Sequence, residues 1–309
     1  MSRIHEAIQR AEQERLAGQS AGAAEMAPVL EAAMPTPAMA PAAAAPVSLE
    51  SPAHSPAAAI TYDQLNSQCI RAPWRPDVHR MLFFENNKHQ GPGMEEFRTL
   101  RARLYQMREK RPLKSILIGS ALPGEGKSFV SANLAQVLAR QHGRRVLLID
   151  ADLRWSRLHD YLGTQSAPGL TDYLRGEADE IAIMQRGPMD NLLFIPGGKP
   201  AANPAELVGN GRFKTLLHRL GPVFDWIVVD SPPAVPVSDA SRLAEACDGV
   251  LLVLMAAQTP FEVAQKARSE FRDKPLLGVI LNRVDPKTGY TKYYYSSYGK
   301  QGAKGSHKG

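Results

Sequence analysis

Short apolar runs recur along the chain from Ile116 onward, and longer polar segments separate them. The runs lack the alternation of polar and apolar positions that a strand with one wet face shows, so each predicts a strand buried on both faces. Buried strands that alternate with helical segments predict an α/β fold, a mostly parallel sheet with helices on both faces. The predicted strands are Ile116–Ile118, Val146–Ile149, Leu192–Ile195, Trp226–Val229, Val250–Leu254 and Leu277–Leu281, and helices are predicted near 205–220, 237–246 and 260–271.

The first apolar run leads directly into a glycine-rich loop, which reads Ser120-Ala121-Leu122-Pro123-Gly124-Glu125-Gly126-Lys127-Ser128. Because Gly124 and Gly126 have no side chain, the backbone can wrap around a polyphosphate and direct its N–H groups at it. The helix predicted after the loop presents its positive end to the same charge. Lys127 adds a mobile charge for the outer phosphates, and Ser128 offers a hydroxyl to a magnesium ion.

The loop departs from the strict phosphate-binding motif at Ala121, where that motif has a glycine. A tight turn before a surface helix is the alternative interpretation. The strand before the loop, the helix after it and the acidic residues described next favour a P-loop nucleotide site, and hence a P-loop NTPase-like fold. The predicted nucleotide-binding residues of this loop are Pro123, Gly124, Glu125, Gly126, Lys127, Ser128 and Phe129.

Two further predicted strands end in aspartates: Asp150 and Asp152 follow the second strand, and Asp230 follows the strand at 226–229. Because the carboxyl ends of parallel strands meet at one edge of a sheet, we expect these acids near the phosphate loop. A carboxylate at a strand end is often only a helix cap. Two such strands beside a phosphate loop favour roles in magnesium binding and catalysis. The predicted catalytic residues are Lys127, Asp150, Asp152 and Asp230, and the predicted metal ligands are Ser128, Asp152 and Asp230.

The composition of the N-terminal segments differs from that of the core. Residues 1–17 place apolar side chains on one helical face and predict an amphipathic helix that gains order against a partner; a frayed terminus is an equally open interpretation. Residues 18–59 are dominated by alanine and proline, a composition that predicts a disordered linker. The P-loop domain is assigned to residues 60–285, in which Trp74 and Phe83 indicate that the otherwise unassigned 60–92 segment packs on the domain.

A helix is predicted over residues 93–109, with an apolar stripe of Phe97, Leu100 and Leu104. Charged residues lie at a spacing of three along it. From the residues alone, this pattern indicates an ordinary surface helix with an intrahelical ion pair. The charged residues at this spacing are Glu95, Arg98 and Arg101.

The C-terminal segment, residues 286–309, concentrates tyrosine and lysine. Five of the nine tyrosines of the chain fall within residues 289–300, and no carboxylate follows Asp285. An aromatic docking strip or a nucleic-acid stacking surface are alternatives. Beside a nucleotide site, phosphoryl acceptors are the sharper hypothesis. The candidate acceptors are Tyr290, Tyr293, Tyr294, Tyr295 and Tyr298.

Charge, cysteine content and hydropathy exclude several other classes. The formal net charge is +6, much of it on the C-terminal segment, and no nucleic-acid-binding module accompanies it, so no nucleic-acid partner is expected. Cys69 and Cys247 are isolated, which argues against a zinc site or a disulfide framework and fits a reducing cytoplasm. No apolar run approaches the ~20 residues of a membrane helix, so we expect a soluble protein.

The ordered motifs together resemble the bacterial tyrosine kinases (BY-kinases) of capsule and exopolysaccharide systems. The resemblance covers about residues 93–298 and rests on the phosphate loop, the segments around Asp150 and Asp230, the charged triplet from Glu95 and the tyrosine-rich end. One departure is Trp155-Ser156, which stands where the family more often has a proline-bearing segment. Leu122 occupies the position of the signature lysine of related partition ATPases, which favours the kinase branch.

The resemblance implies an ATP- and Mg²⁺-dependent tyrosine autokinase that phosphorylates its own tail in trans and regulates polysaccharide polymerisation and export. It implies that Glu95, Arg98 and Arg101 form an oligomerisation motif for a homo-oligomeric ring, and that Asn282 lies near the adenine base. Asp150 is the candidate acceptor of the tyrosine proton, although a carboxylate is a weak base for a phenol.

The implied partners are an inner-membrane polysaccharide co-polymerase, as activator and anchor, and a cognate tyrosine phosphatase. The implied location is cytoplasmic, at the inner face of the membrane. A partition-type regulatory P-loop ATPase shares the loop and the acids and is the main rival; the tyrosine-rich tail separates the two. A degenerate nucleotide-sensing scaffold is the second rival, and the complete set of catalytic residues disfavours it.

Overall fold

The computed structural model describes residues 60–77, 79–83 and 93–285. The predicted N-terminal helix (1–17), the linker (18–59) and the tyrosine-rich tail (286–309) lie outside the described residues. No helix among those described is long and apolar enough to span a membrane.

Eight strands and nine helices are described in this part of the chain. The strands are β1 (Ile70–Arg71), β2 (Ser115–Ser120), β3 (Val146–Asp150), β4 (Gln185–Arg186), β5 (Leu192–Ile195), β6 (Trp226–Asp230), β7 (Gly249–Met255) and β8 (Leu276–Asn282). The helices are α1 (Tyr62–Gln68), α2 (Met94–Lys110), α3 (Lys127–Ala139), α4 (Leu158–Leu162), α5 (Leu170–Arg175), α6 (Pro204–Gly209), α7 (Arg212–Leu220), α8 (Asp239–Glu245) and α9 (Phe261–Glu270).

The strands form one sheet in the order β1-β4-β5-β3-β6-β2-β7-β8. Every neighbouring pair is parallel except β4 and β5, which are antiparallel. All six predicted strands are confirmed, as is the mostly parallel sheet, but the expectation that each strand is buried on both faces is wrong for β8, an edge strand in which Val279 and Leu281 are exposed. The helix predicted near 205–220 is in fact two helices, α6 and α7, because Asn210 and Gly211 interrupt it and Gly211 adopts a positive φ of 81°.

The core has one layer on each face of the sheet. On one face α2, α3 and α4 contribute Leu104, Leu134 and Leu158. On the other face the remaining helices pack, for example through Leu216 of α7 and Leu243 of α8. Because helices cover both faces of the sheet, the central strands have apolar side chains on both faces and appear in the sequence as unbroken apolar runs.

The segment 60–83 packs on the domain, as the aromatic residues in it predicted. Trp74 lies edge-on to Phe194 with ring centroids 6.2 Å apart, and Phe83 lies edge-on to Phe97 at 6.0 Å. Met81 is also buried. This segment therefore contributes to both core layers, with Leu65 on one face of the sheet and Met81 on the other, and it brings Arg80 toward the carboxyl edge, where the phosphate loop lies.

Candidate nucleotide and phosphoryl-transfer site

The phosphate loop connects β2 to α3, and its glycines have the backbone conformations expected of such a loop. Gly124 and Gly126 have φ of 82° and 97°, a left-handed region that side chains disfavour. The Asn282 amide donates to the carbonyl of Glu125 at 2.8 Å. A Cβ on Gly126 would lie 2.0 Å from Asn282 Nδ2, so Gly126 is required both by its conformation and by the close approach of Asn282.

The Glu125 side chain faces the protein and not the cleft. Its carboxylate is buried, accepts the N–H of Leu122 at 2.8 Å, and accepts the Thr259 hydroxyl. Glu125 was predicted as a nucleotide-binding residue. In the structure its side chain braces the loop against the connection between β7 and α9, which leaves only its backbone N–H for a phosphate.

The first turn of α3 and the end of β6 meet through hydroxyl–carboxylate hydrogen bonds. Ser128 Oγ donates to one oxygen of Asp230 at 2.6 Å, and Ser131 Oγ donates to the other at 2.9 Å. Ser131 was not predicted, although its position four residues after Lys127 puts it on the same face of the helix. Burial raises the pKa of the Asp230 carboxyl, while Lys127 and the hydroxyl of Ser128 oppose that rise.

Lys127 lies among the acids as predicted. Its Nζ is 2.8 Å from Asp152 Oδ2, and both side chains are largely buried. Burial alone would lower the pKa of the Lys127 ammonium, but the carboxylates of Asp230 and Asp152 outweigh burial, so the pKa lies above its ordinary value. The lysine is therefore a fixed positive charge in a site that gathers negative groups.

Asp150 lies beside Asp230 in adjacent strands, but it does not line the cleft. Its carboxylate is fully buried, and Oδ2 accepts the Ser156 hydroxyl at 2.7 Å and the N–H groups of Arg157 and Leu158 at 3.1 and 3.0 Å. Burial, reinforced by the neighbouring Asp230, raises the pKa of Asp150 from 3.8 to about 7. Asp150 therefore caps the start of α4. Helix capping is the alternative to a catalytic role for an acid at the end of a strand.

A cleft of about 690 Å³ runs along the phosphate loop. Among the predicted residues, Pro123, Phe129 and Asn282 line it together with the loop glycines, Lys127, Ser128 and Asp152. The lining residues that were not predicted are Arg80, Trp155, Arg157, Tyr161, Pro233 and Arg283. Arg80 comes from the unassigned segment and the others from loops or a short helix, where no periodic pattern marks them.

The charged triplet of α2 makes an ion pair and a hydrogen bond among the described residues. Arg98 pairs with Glu95 at 2.9 Å, as predicted from the residues alone, and the pair is exposed. Arg101 donates to the carbonyl of Val137 at 2.9 Å, near the C-terminal end of α3. These contacts leave the oligomerisation role of the triplet a prediction.

Comparisons with known proteins agree with this fold. The CbiA family, the CobQ/CobB/MinD/ParA nucleotide binding domain, matches residues 116–297. The chain is 36% identical over 212 residues to the tyrosine-protein kinase YwqD of Bacillus subtilis (strain 168), covering 68% of this chain and 86% of YwqD. It is 38% identical over 194 residues to the tyrosine-protein kinase CpsD of Streptococcus agalactiae, covering 62% of this chain and 84% of CpsD.

A solved structure, the BceF tyrosine kinase domain, superposes with a TM-score of 0.58 at 26% identity and covers 71% of this chain and 96% of that domain. These matches define the class as a P-loop nucleotide-binding domain. Within that class, the chain belongs to the bacterial tyrosine kinase (BY-kinase) family, and its enzymatic class is protein-tyrosine kinase.

Proposed function

We propose that this chain is an ATP-dependent tyrosine autokinase that transfers the γ-phosphoryl group of ATP to tyrosines of its own C-terminal segment. The observation that carries the proposal is the convergence of Lys127, Asp152 and Asp230 beside a cleft of about 690 Å³ in a chain of the tyrosine kinase family. The proposed acceptors are Tyr290, Tyr293, Tyr294, Tyr295 and Tyr298.

In the proposed complex the backbone of the phosphate loop binds the polyphosphate, and Asn282 lies toward the adenine base. Lys127 offsets the charge of the outer phosphates. The hydroxyl of Ser128 and the carboxylates of Asp152 and Asp230 are hard oxygen donors, which suit magnesium better than a softer metal. When bound, Mg²⁺ would neutralise charge that develops on the transferring group.

In the transfer step the phenolic oxygen of tyrosine forms a bond to the γ-phosphorus while the bond to the β–γ bridging oxygen breaks, and ADP leaves with that electron pair. We propose Asp150 as the acceptor of the phenolic proton, because its raised pKa makes it a stronger base than an ordinary carboxylate. Asp150 is buried behind Ser156 and does not line the cleft, so Asp152, which does, is the alternative acceptor.

We further propose that the tail of one subunit enters the site of a neighbour in a ring assembled through Arg98 and Arg101. An isotope-labelled Lys127→Met chain, mixed with unlabelled wild-type chain and MgATP, tests this idea. Phosphotyrosine should appear in the labelled chain, and its rate of appearance should rise with the wild-type concentration. Phosphotyrosine found only in the unlabelled wild-type chain would contradict transfer between subunits.

The proposed biological role is control of exopolysaccharide or capsule polymerisation and export from the cytoplasmic face of the inner membrane. A polysaccharide co-polymerase would anchor and activate the kinase, and a tyrosine phosphatase would reset it. Each phosphotyrosine adds about −1.5 to −2 charge, so phosphorylation would turn a basic tail acidic and loosen the ring. Deleting residues 1–59 and measuring activation by the membrane partner tests whether that segment is the docking element.

A partition-type ATPase is the second candidate function, because it shares the nucleotide-binding domain. It predicts ATP hydrolysis without phosphotyrosine. Family membership and the tyrosine-rich segment favour the kinase.

A further inference from the structure

The tryptophan that departs from the family pattern, Trp155, is unusually exposed for its type. Its relative exposure is 69%, whereas Trp74 and Trp226, the other two tryptophans of the chain, are at 7% and 0%. A large aromatic surface in water is costly unless something covers it in use. Trp155 also lines the cleft that contains Lys127 and Asp152, so the exposed ring lies at the reaction site and not on an unrelated surface.

The backbone of Trp155 is hydrogen-bonded to the acidic segment that follows β3. Its N–H donates to Asp152 Oδ1 at 3.0 Å. The next residue but one, Arg157, donates its backbone N–H to Asp150 at 3.1 Å and holds its guanidinium 5.6 Å from the centre of the Trp155 ring. The indole therefore extends from a backbone that is hydrogen-bonded to the predicted metal-binding carboxylate Asp152, and a cation lies near its ring.

The order of the strands separates the two ends of the cleft. Asn282 ends β8, on one side of β2, and Trp155 follows β3, on the other side of β2. The phosphate loop leaves β2 between them. If Asn282 marks the end of the cleft that takes the adenine base, the polyphosphate points toward β3, and Trp155 lies at the end where the acceptor of the γ-phosphoryl group has to enter.

Arg157 is available to a ligand at that end. No carboxylate of the described residues lies within ion-pair distance of it, in contrast to Arg154, which pairs with Asp239 at 2.7 Å, and Arg80, which pairs with Asp77 at 3.1 Å. An exposed indole beside an unpaired guanidinium suits a ligand that is aromatic and becomes anionic, which describes a tyrosine that is converted to phosphotyrosine.

We propose that Trp155 and Arg157 form the acceptor subsite: the phenol ring of the incoming tyrosine stacks on the Trp155 indole, and Arg157 lies beside the phosphate it receives. This inference rests on the proposed kinase function and adds a substrate-contacting residue that the acids and the phosphate loop do not supply. Stacking depends on the tyrosine ring and little on its neighbours in the sequence, so the same Trp155 indole can bind each tyrosine of the cluster in turn.

The test uses the full-length chain and a synthetic peptide with the sequence of residues 289–300. With MgATP, Trp155→Ala should raise the KM for the peptide roughly tenfold, the scale of one lost aromatic pair, and leave the KM for ATP unchanged. Trp155→Phe should restore most of the peptide affinity. The matched control is Phe261→Ala, which removes another exposed aromatic ring (76%) that does not line the cleft, and it should leave both KM values unchanged.

A binding measurement separates this inference from the kinase proposal. Because the other two tryptophans are buried, the fluorescence that acrylamide quenches reports mainly on Trp155. With MgADP, which has no γ-phosphoryl group to transfer, the peptide should protect Trp155 from quenching, and a peptide with phenylalanine at every tyrosine should do the same. Three results would each overturn the inference: an unchanged KM for the peptide in Trp155→Ala, no protection of Trp155 by the peptide, or a raised KM for ATP in Trp155→Ala. The last result would indicate that Trp155 stacks on the adenine base. Protection without any phosphotyrosine would instead count against the kinase proposal alone.

Discussion

Asn282 and Gly126 approach so closely that a single methyl group would not fit between them. The Asn282 amide bonds the carbonyl next to Gly126 at 2.8 Å, and a Cβ on Gly126 would meet the same amide nitrogen at 2.0 Å. The contact joins the edge strand β8 to the phosphate loop that follows the central strand β2. It thus links the predicted base end of the cleft to the predicted phosphate end.

Gly126→Ala should lower MgADP affinity by at least tenfold, because the methyl group displaces Asn282 and strains a backbone with φ of 97°. Gly143→Ala is the matched control: Gly143 also has a positive φ, 71°, but nothing lies within 4 Å of its Cβ position. The control should lose about 1–2 kcal/mol of stability from backbone strain alone and bind MgADP normally. Calorimetric titration and thermal unfolding measure both quantities; equal affinities in the two variants would contradict the crowding argument.

The central strands were predictable because each is a continuous apolar run, which a buried parallel strand requires. The short elements were not. β1 and β4 are two residues long, and α4 and α5 have five and six residues, so none is long enough to show a period. The order of the strands also follows from packing between distant segments and leaves no trace in any one segment.

Part of the site was predictable for the same reason: Lys127, Ser128, Asp152 and Asp230 stand at strand or helix ends and meet at one edge. The direction in which a side chain points could not be predicted from the sequence. Glu125 lies within the loop motif, yet its carboxylate is buried against Thr259. Asp150 has the same sequence context as Asp152, and only the backbone path after it turns it into a helix cap.

The raised pKa of Asp150 predicts a pH dependence of stability. In the folded protein this carboxyl keeps its proton up to about pH 7, while the unfolded chain releases it near its ordinary value of 3.8. Its contribution to stability is therefore full below the unfolded value and is lost as the pH rises through about 7. The melting temperature of the wild type should fall more steeply between these limits than that of Asp150→Asn, whose amide stays neutral.

Thermal unfolding in a series of buffers without magnesium or nucleotide measures this difference. The Asp150→Asn curve should be the flatter of the two, even if the variant is less stable throughout because it loses acceptors for the start of α4. Parallel curves would show that Asp150 ionises in the folded protein as it does in the unfolded chain.

If the charged triplet of α2 bridges subunits, a substitution at Arg98 should weaken assembly without lowering the stability of the folded chain. The exposed Arg98–Glu95 pair contributes at most about 0.5 kcal/mol, so Arg98→Ala should leave the melting temperature nearly unchanged. If Arg98 bridges subunits, the same change should shift the sedimentation coefficient toward that of the monomer and slow transfer between subunits. Arg103→Ala, an exposed arginine of the same helix, is the control and should change neither quantity. Unaltered sedimentation of Arg98→Ala would argue against a ring built through this residue.

The central claim is that the acids and the lysine at the edge of the sheet deliver a phosphoryl group to tyrosine. Its most direct test is mass spectrometry of the purified full-length chain after incubation with MgATP, with Lys127→Met and the exposed-lysine control Lys266→Met treated in parallel. Phosphotyrosine should appear within residues 290–298 in the wild type and in Lys266→Met, and should fall at least a hundredfold in Lys127→Met, the scale of one lost charge-stabilising group. Hydrolysis of ATP by the wild type without any phosphotyrosine would contradict the account.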